Sequence, residues 1–111
     1  MSEINIEKGD IIICALAGDY GKPRPAVVIQ SNKYNKNRSS VLICPLTTHL
    51  TDDSDARMLL IPTKLNGLVS ESQIMIDKGG AIKKEKIQKK IGKLSLEQIQ
   101  ELTKAIKAFI D

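Results

Sequence analysis

The chain reads PRPAVVIQ from Pro23 to Gln30. In this run an arginine with a restricted backbone conformation precedes an apolar segment. The apolar residues Ala26 to Ile29 are mostly β-branched, which favours a buried β-strand. Arg24 lies between Pro23 and Pro25, and a residue that precedes proline avoids the helical region of backbone space. The run therefore predicts an extended segment that presents one cation at the beginning of a core strand.

Further apolar or alternating runs on both sides of this segment predict a sheet of short strands. With the run already quoted, the predicted strands are 11–16, 26–30, 41–45, 57–61 and 72–77. Turn-forming pairs, Asn66-Gly67 and Gly79-Gly80 among them, separate the later segments. Residues 31–39 predict either a loop or a short helix. Residues 83–93 are the most basic stretch, and the spacing of Ile87 and Ile91 predicts an amphipathic turn with both side chains packed inward.

The C-terminal segment predicts a helix from about Leu96 to Ile110. Ser95 and Gln98 form a capping-box pattern at its start. Apolar residues then recur at helical spacing on one stripe, namely Ile99, Leu102, Ile106 and Phe109. Short antiparallel strands followed by one terminal helix predict an α+β fold with a small, strongly bent, barrel-like sheet.

Composition limits the classes of protein that the chain can belong to. A chain of 111 residues is expected to form a single domain, 1–111. Hydrophobic residues make up 41% and charged residues 27%, which is typical of globular proteins and not of disordered or membrane proteins. The formal net charge of +4 is compatible with RNA or with an acidic protein partner and does not choose between them.

The cysteines and the absence of a leader predict a cytoplasmic protein. Cys14 and Cys44 lie inside apolar β-branched runs and are expected to be reduced, with a disulfide between neighbouring strands as the alternative. Residues 2–8 are polar and of mixed charge, unlike a secretory segment, and no apolar run approaches the length of a membrane span. One histidine, two strand cysteines and the acidic loop 51–55 give neither zinc nor calcium spacing, so we expect no metal and no cofactor.

Four segments, in order along nearly the whole chain, resemble the MazF/PemK (CcdB-like) family of toxins. They are GDII at 9–12, GDYGKPRPAVVIQS at 18–31, VLICPLTT at 41–48, and NGL at 66–68 with ESQIMIDK at 71–78 and IGKL at 91–94. The resemblance implies an SH3-like antiparallel β-barrel with a C-terminal helix, and a homodimer with an RNA groove across its interface. It also implies a toxin endoribonuclease that cuts single-stranded RNA sequence-specifically without a metal ion, and an acidic antitoxin as partner.

Metal-independent cleavage of this kind starts when a 2′-hydroxyl attacks the neighbouring phosphorus, and it yields a 2′,3′-cyclic phosphate and a 5′-hydroxyl. The reaction needs a base, an acid and a fixed cation or donor for the developing charge. Arg24 suits the last role because its planar fork matches phosphate oxygens, and the resemblance implies that Arg24 and Thr47 are active-site residues. Asp77 is the candidate for proton transfer. Each of the three residues also has a purely structural alternative. Arg24 would be a surface arginine, Thr47 a threonine in a local turn, and Asp77 a carboxylate that caps a turn.

Other residues are candidates for contacts with RNA. Tyr20 could stack on a base, Lys22 and Lys78 could contact phosphates, and Thr48 adjoins Thr47 but would point away from it on a strand. His49 is either a proton shuttle or a solvated residue.

Two positions depart from the family pattern. Some members carry an arginine where this chain has Met75, and others carry one where it has Gly80. Lys78 or another cation would then supply the missing charge. These departures keep a non-catalytic RNA-binding barrel as an alternative. A gyrase-poisoning toxin on the same fold is the other alternative, but such relatives use a C-terminal Trp-Gly-Ile, and this chain has no tryptophan.

Overall fold

The structure is a computed structural model that describes residues 4–16, 21–52 and 56–111. Within these ranges the chain forms seven strands, two α-helices and two short 3₁₀ turns. In chain order they are β1 (Asp10–Ala15), β2 (Pro23–Val28), α1 (Asn32–Asn35), β3 (Ser40–Thr47), β4 (Arg57–Leu60), β5 (Ser72–Met75), the 3₁₀ turn Ile76–Lys78, β6 (Gly80–Lys83), the 3₁₀ turn Lys84–Lys86, β7 (Ile87–Lys93) and α2 (Leu96–Ile110).

The strands form one antiparallel sheet in the order β4-β5-β3-β2-β1-β7, and β6 also pairs with β3. The N-terminal half of β3 pairs with β6, whereas its last two residues, Leu46 and Thr47, pair with Ile74 and Gln73 of β5. Two strands therefore share one edge of β3, which bends the sheet. In the described part of the chain no pairing joins β4 to β7, so the barrel is open. The α+β prediction is confirmed.

Both faces of the central strands are buried, because alternate residues of a strand point to opposite faces. One cluster lies under α2 and includes Ile11, Val27, Cys44, Leu60, Ile74 and Leu102. The second cluster lies on the other face and includes Ile12, Cys14, Ala26, Val28, Ile43 and Ile87. Burial on both faces explains why these strands are almost continuously apolar in sequence.

The predicted C-terminal helix is confirmed, with its capping box. The Gln98 amide donates to Ser95 Oγ at 3.2 Å, and the Ser95 amide donates to Gln98 Oε1 at 3.0 Å. Leu102 is buried, and Ile99 and Ile106 pack against the same cluster. Phe109 is 52% exposed, so the packed part of the stripe ends one turn before the predicted end.

The amphipathic turn predicted for residues 83–93 is wrong, although its two isoleucines do pack inward as predicted. This segment contains the end of β6, a 3₁₀ turn and β7, and Gly80 begins β6 instead of remaining in a turn. β7 pairs with β1 through a register that shifts twice. Ile87 packs in the second cluster and Ile91 against the first. Residues four apart point to the same face of a regular strand, so the register shifts account for the packing of these two isoleucines in different clusters.

The two cysteines are free and buried, and they belong to clusters on different faces of the sheet, an arrangement in which no disulfide joins them. Burial raises the pKa of Cys14 from 9.0 to about 11. Burial, with a contribution from the Asp77 charge, raises the pKa of Cys44 to the same value. Both groups are therefore protonated and unreactive at neutral pH. No helix in the described ranges is long and apolar enough to cross a membrane.

Candidate active site

A pocket of about 340 Å³ opens where β2, β3 and β5 come together. Its lining brings together residues that are far apart in sequence: Leu16, Arg24, Pro25, Pro45, Leu46, Thr47, Thr48 and Met75. Arg24 and Thr47, the two residues implied by the family resemblance, thus share one open pocket. Two larger pockets lie at the opposite end of β3, around Arg38 and Ser39.

The prolines explain why Arg24 faces this pocket. Residues 23–25 pair with β1, where Arg24 lies opposite Cys14, but the pairing of β2 with β3 begins only at Ala26. Proline has no N–H to donate to a neighbouring strand, so it is found where pairing stops. The segment therefore has β1 on one side and the pocket on the other, and Arg24 is half-buried at this edge.

Thr47 ends β3, and its hydroxyl is held by the backbone that follows. The His49 amide donates to Thr47 Oγ1 at 3.0 Å, which is the local turn considered as the alternative. A hydroxyl that accepts one hydrogen bond can still donate its own hydrogen. The turn therefore orients the Thr47 hydroxyl and leaves its hydrogen available for a ligand. Thr48 also lines the pocket, contrary to the prediction that it points away, because the strand ends at Thr47 and the chain bends.

Gln73, which the sequence analysis did not identify, fixes the segment after Thr47. Its side chain accepts from the Thr51 amide at 3.1 Å and donates to the Thr51 carbonyl at 2.8 Å. Gln73 is buried and lies directly opposite Thr47 in the sheet. The two bonds hold residues 48–51 beside β5. Only the strand register reveals this role, since Gln73 looks in sequence like any polar strand residue.

Asp77 does not close the fifth strand as predicted. β5 ends at Met75, and Asp77 lies in the 3₁₀ turn that follows. Its carboxylate forms an ion pair with Arg57 of β4, a residue that the sequence analysis missed, and the two side chains are 28% and 15% exposed. Lys78 Nζ lies 3.9 Å from Asp77 Oδ2. Asp77 is not among the residues that line the pocket, but it lies two residues after Met75, which does.

The remaining candidates lie around the pocket or outside the described residues. Lys22 is exposed just before β2, and Lys78 is exposed in the 3₁₀ turn. His49 is exposed and does not line the pocket, although its backbone contacts Thr47. Tyr20 lies outside the described residues. Among residues 4–16, 21–52 and 56–111, no group of three or more His, Cys, Asp or Glu could hold a metal ion.

The structure thus defines the class of small α+β proteins with a bent antiparallel sheet, a C-terminal helix, and an arginine and a threonine together in an open pocket at the strand ends. Comparison with known proteins agrees with this class. The family described as "PemK-like, MazF-like toxin of type II toxin-antitoxin system" matches residues 7–110. The chain belongs to this family.

Individual relatives agree in sequence and in fold. A "Probable endoribonuclease MazF" of Mycolicibacterium smegmatis is 32% identical over 106 residues, which cover 95% of this chain and 96% of the relative. The solved structure of Mycobacterium tuberculosis toxin MazF-mt6 is 25% identical, with a TM-score of 0.76 over 90% of this chain and 95% of the other. An endoribonuclease in complex with its cognate antitoxin from Mycobacterial species is 15% identical and shares the fold, with a TM-score of 0.78 over 94% and 93% of the two chains.

Proposed function

We propose that this chain is the toxin of a toxin–antitoxin pair and acts in the cytoplasm as a metal-independent endoribonuclease on single-stranded RNA. Residues 1–111 form its single toxin domain. Family membership and the relative named as an endoribonuclease support the activity. The observation that carries the assignment of the site is the shared pocket of Arg24 and Thr47, which is open to a phosphodiester and lined by a fixed hydroxyl and a permanent cation.

In the proposed reaction the RNA 2′-oxygen bonds to phosphorus as the bond from phosphorus to the 5′-oxygen breaks. Arg24 donates N–H groups to the non-bridging oxygens, where negative charge develops, and Thr47 donates its hydroxyl hydrogen to the same group. Asp77 is the proposed acceptor of the 2′-proton, and the leaving 5′-oxygen takes up a proton from solvent water. The products are a 2′,3′-cyclic phosphate and a 5′-hydroxyl.

Further residues are proposed to hold the RNA strand on either side of the cut. Lys22 and Lys78 supply positive charge for neighbouring phosphates. Thr48 and His49 follow the catalytic threonine, and Tyr20 stacks on a base. These contacts, with the acidic loop, select the RNA sequence.

The working form is proposed to be a homodimer with its RNA groove across the interface. Several large apolar side chains are exposed on the single chain, and we propose that the partner subunit covers a patch that they form. Examples are Leu59 at 49%, Ile61 at 59% and Val69 at 98% exposure.

The proposed antitoxin is an acidic protein whose segment lies over the Arg24 pocket and replaces RNA phosphates with carboxylates. The net charge of +4 and the solved toxin–antitoxin complex of the same fold motivate this placement. We expect Arg24→Glu to lower the affinity for the antitoxin by at least about tenfold, because like charges then face each other. Titration calorimetry with the protein encoded beside the toxin checks this, with Arg38→Glu at the opposite end of β3 as the control. Equal affinity of the unmodified chain and Arg24→Glu would place the antitoxin elsewhere.

The proposed function predicts the ends of the products. The purified protein is incubated with a mixed pool of single-stranded RNA in EDTA, and both ends of the fragments are mapped. We expect cuts at one short sequence, with a 5′-hydroxyl on one fragment and a 2′,3′-cyclic phosphate on the other. Cleavage that requires an added divalent metal, or the absence of cleavage by the folded protein, would contradict the proposal. A DNA-supercoiling assay on the same sample tests the gyrase-directed alternative.

A further inference from the structure

Arg57 lies directly opposite Met75, the position at which some family members carry an arginine. The two residues are register partners in the antiparallel pair β4–β5. Directly opposed residues have Cβ atoms about 4.5–5.5 Å apart and point to the same face. The side chain of Arg57 therefore extends from a backbone position that is adjacent, across the strand pair, to the position of Met75.

The strand register also places Arg57 on the face of the sheet that carries the pocket. Met75 and Gln73 are two residues apart on β5 and so share a face. Gln73 is the register partner of Thr47. Arg57 thus shares its face with Thr47, and its neighbour Met75 lines the pocket.

The contacts of Arg57 are poorly explained by stability alone. Its Nη1 donates to Asp77 Oδ1 and to the Ala56 carbonyl. Its Nε is buried and has no hydrogen-bond partner among the described residues. A buried donor without a partner costs free energy, and partly buried ion pairs can often be replaced by apolar residues without loss of stability. The arrangement therefore suggests a role at the site beyond holding the fold together.

We infer that Arg57 is a positioning residue for Asp77 and that it supplies, from the neighbouring strand, the positive charge that position 75 lacks. This inference rests on the proposed function. Arg57 donates to Oδ1 of the carboxylate, whereas Lys78 Nζ lies 3.9 Å from Oδ2, beyond hydrogen-bond distance, so Oδ2 is the oxygen that accepts the RNA proton. The guanidinium also balances the carboxylate charge, which would otherwise repel the phosphates of an approaching strand.

An exchange of the two opposed residues tests this role. The variants are Arg57→Met and the double variant Arg57→Met with Met75→Arg, which returns a guanidinium to the opposite strand. We expect Arg57→Met to lower kcat by about 10²-fold, because a misplaced catalytic group costs about that much. We expect the double variant to recover at least about tenfold of this loss, since each tenfold step requires only about 1.4 kcal/mol of restored interaction. Arg38→Met, which removes an exposed arginine at the opposite end of β3, is the matched control.

A merely structural role predicts a different result. Urea denaturation and circular dichroism establish that each variant is folded, and steady-state cleavage over a range of RNA concentrations gives kcat and KM separately. If Arg57→Met does not fold, Arg57→Lys, which keeps the charge but loses the planar fork, is used instead and is expected to lower kcat about tenfold. Suppose that the unmodified chain cleaves RNA and that folded Arg57→Met keeps the full kcat. This result would overturn only this inference, and the same holds for Arg57→Lys where that variant replaces Arg57→Met. A folded double variant without any recovery would do the same. The absence of cleavage by the unmodified chain would overturn the proposed function as well.

Discussion

Arg24→Ala is expected to lower the rate of RNA cleavage by about 10³-fold, the loss that follows removal of one preorganised donor to a developing negative charge. Arg24 is the cation that lines the pocket together with Thr47, and the two prolines beside it restrict its backbone before RNA arrives. The substitution removes the guanidinium and leaves the strand pairing of residues 23–25 with β1 unchanged. Cleavage of a labelled single-stranded RNA in EDTA measures the effect.

Two further variants make this result specific. Arg24→Lys keeps the charge but not the planar fork, and we expect it to recover only part of the activity. Arg38→Ala removes an exposed arginine at the opposite end of β3, where it lies near Tyr34, and should cleave at the rate of the unmodified chain. The same chromatographic elution and thermal midpoint for all variants would show that fold and association are preserved. Undiminished cleavage by Arg24→Ala would remove the electrostatic basis of the proposed mechanism.

Patterns that are local in sequence predicted most of the fold. The apolar runs located β1 to β5 to within a few residues, although β2 begins earlier, at Pro23, and β3 continues to Thr47. The capping box predicted the start of α2 because its two residues, Ser95 and Gln98, are only three positions apart in sequence. The family resemblance and the confined backbone of Arg24 selected the arginine that the fold places in the pocket. The catalytic roles of Arg24, Thr47 and Asp77 remain predictions until the variants are measured.

Features that depend on which strands become neighbours could not be predicted. Arg57 is 20 residues from Asp77 in sequence, and only the pairing of β4 with β5 brings them together. Gln73 holds Thr51 across 22 residues for the same reason. The two shifts in register between β1 and β7 place the two isoleucines of β7 in different clusters, because strict alternation of faces is lost where a strand is irregular. Sequence periodicity describes one element at a time, whereas these contacts belong to pairs of elements.

Gly92→Ala is expected to lower the free energy of unfolding by about 3 kcal/mol, the upper part of the usual range for an added group in a packed region. A Cβ at Gly92 would lie 2.3 Å from the carbonyl carbon and oxygen of Asn66 and 2.5 Å from the Leu65 carbonyl oxygen. These are backbone atoms, so no flexible side chain can move aside. The Lys93 amide also donates to the Leu65 carbonyl at 2.9 Å, which keeps β7 against this turn.

The turn that Gly92 contacts has little freedom to adjust, because Asn66 is buried and fixed by its own hydrogen bonds. Its Nδ2 donates to the Ile61 carbonyl at 2.9 Å, and its Oδ1 accepts from the amides of Thr63 and Leu68 at 3.0 Å. Moving the whole turn away from β7 would break the bond from the Lys93 amide to the Leu65 carbonyl, and moving Asn66 within the turn would break bonds of a buried amide, each of which costs about 1–3 kcal/mol when it is left unmade. Relaxation of the turn would therefore relieve the clash at Gly92 only at a cost in free energy from lost hydrogen bonds.

Gly80→Ala is the matched control for Gly92→Ala, because a Cβ at Gly80 would meet nothing within 4 Å and its backbone is not left-handed. We expect it to change the free energy of unfolding by less than about 0.5 kcal/mol, as for other surface substitutions. Urea denaturation at one fixed protein concentration measures both variants, since association would otherwise shift the midpoint. Similar midpoints for Gly92→Ala and Gly80→Ala would mean that β7 and the Asn66 turn are not packed as closely as this structure has them. The Arg24 pocket lies at the other edge of β1, so a partly destabilised Gly92→Ala should still cut RNA in the fraction of molecules that remain folded.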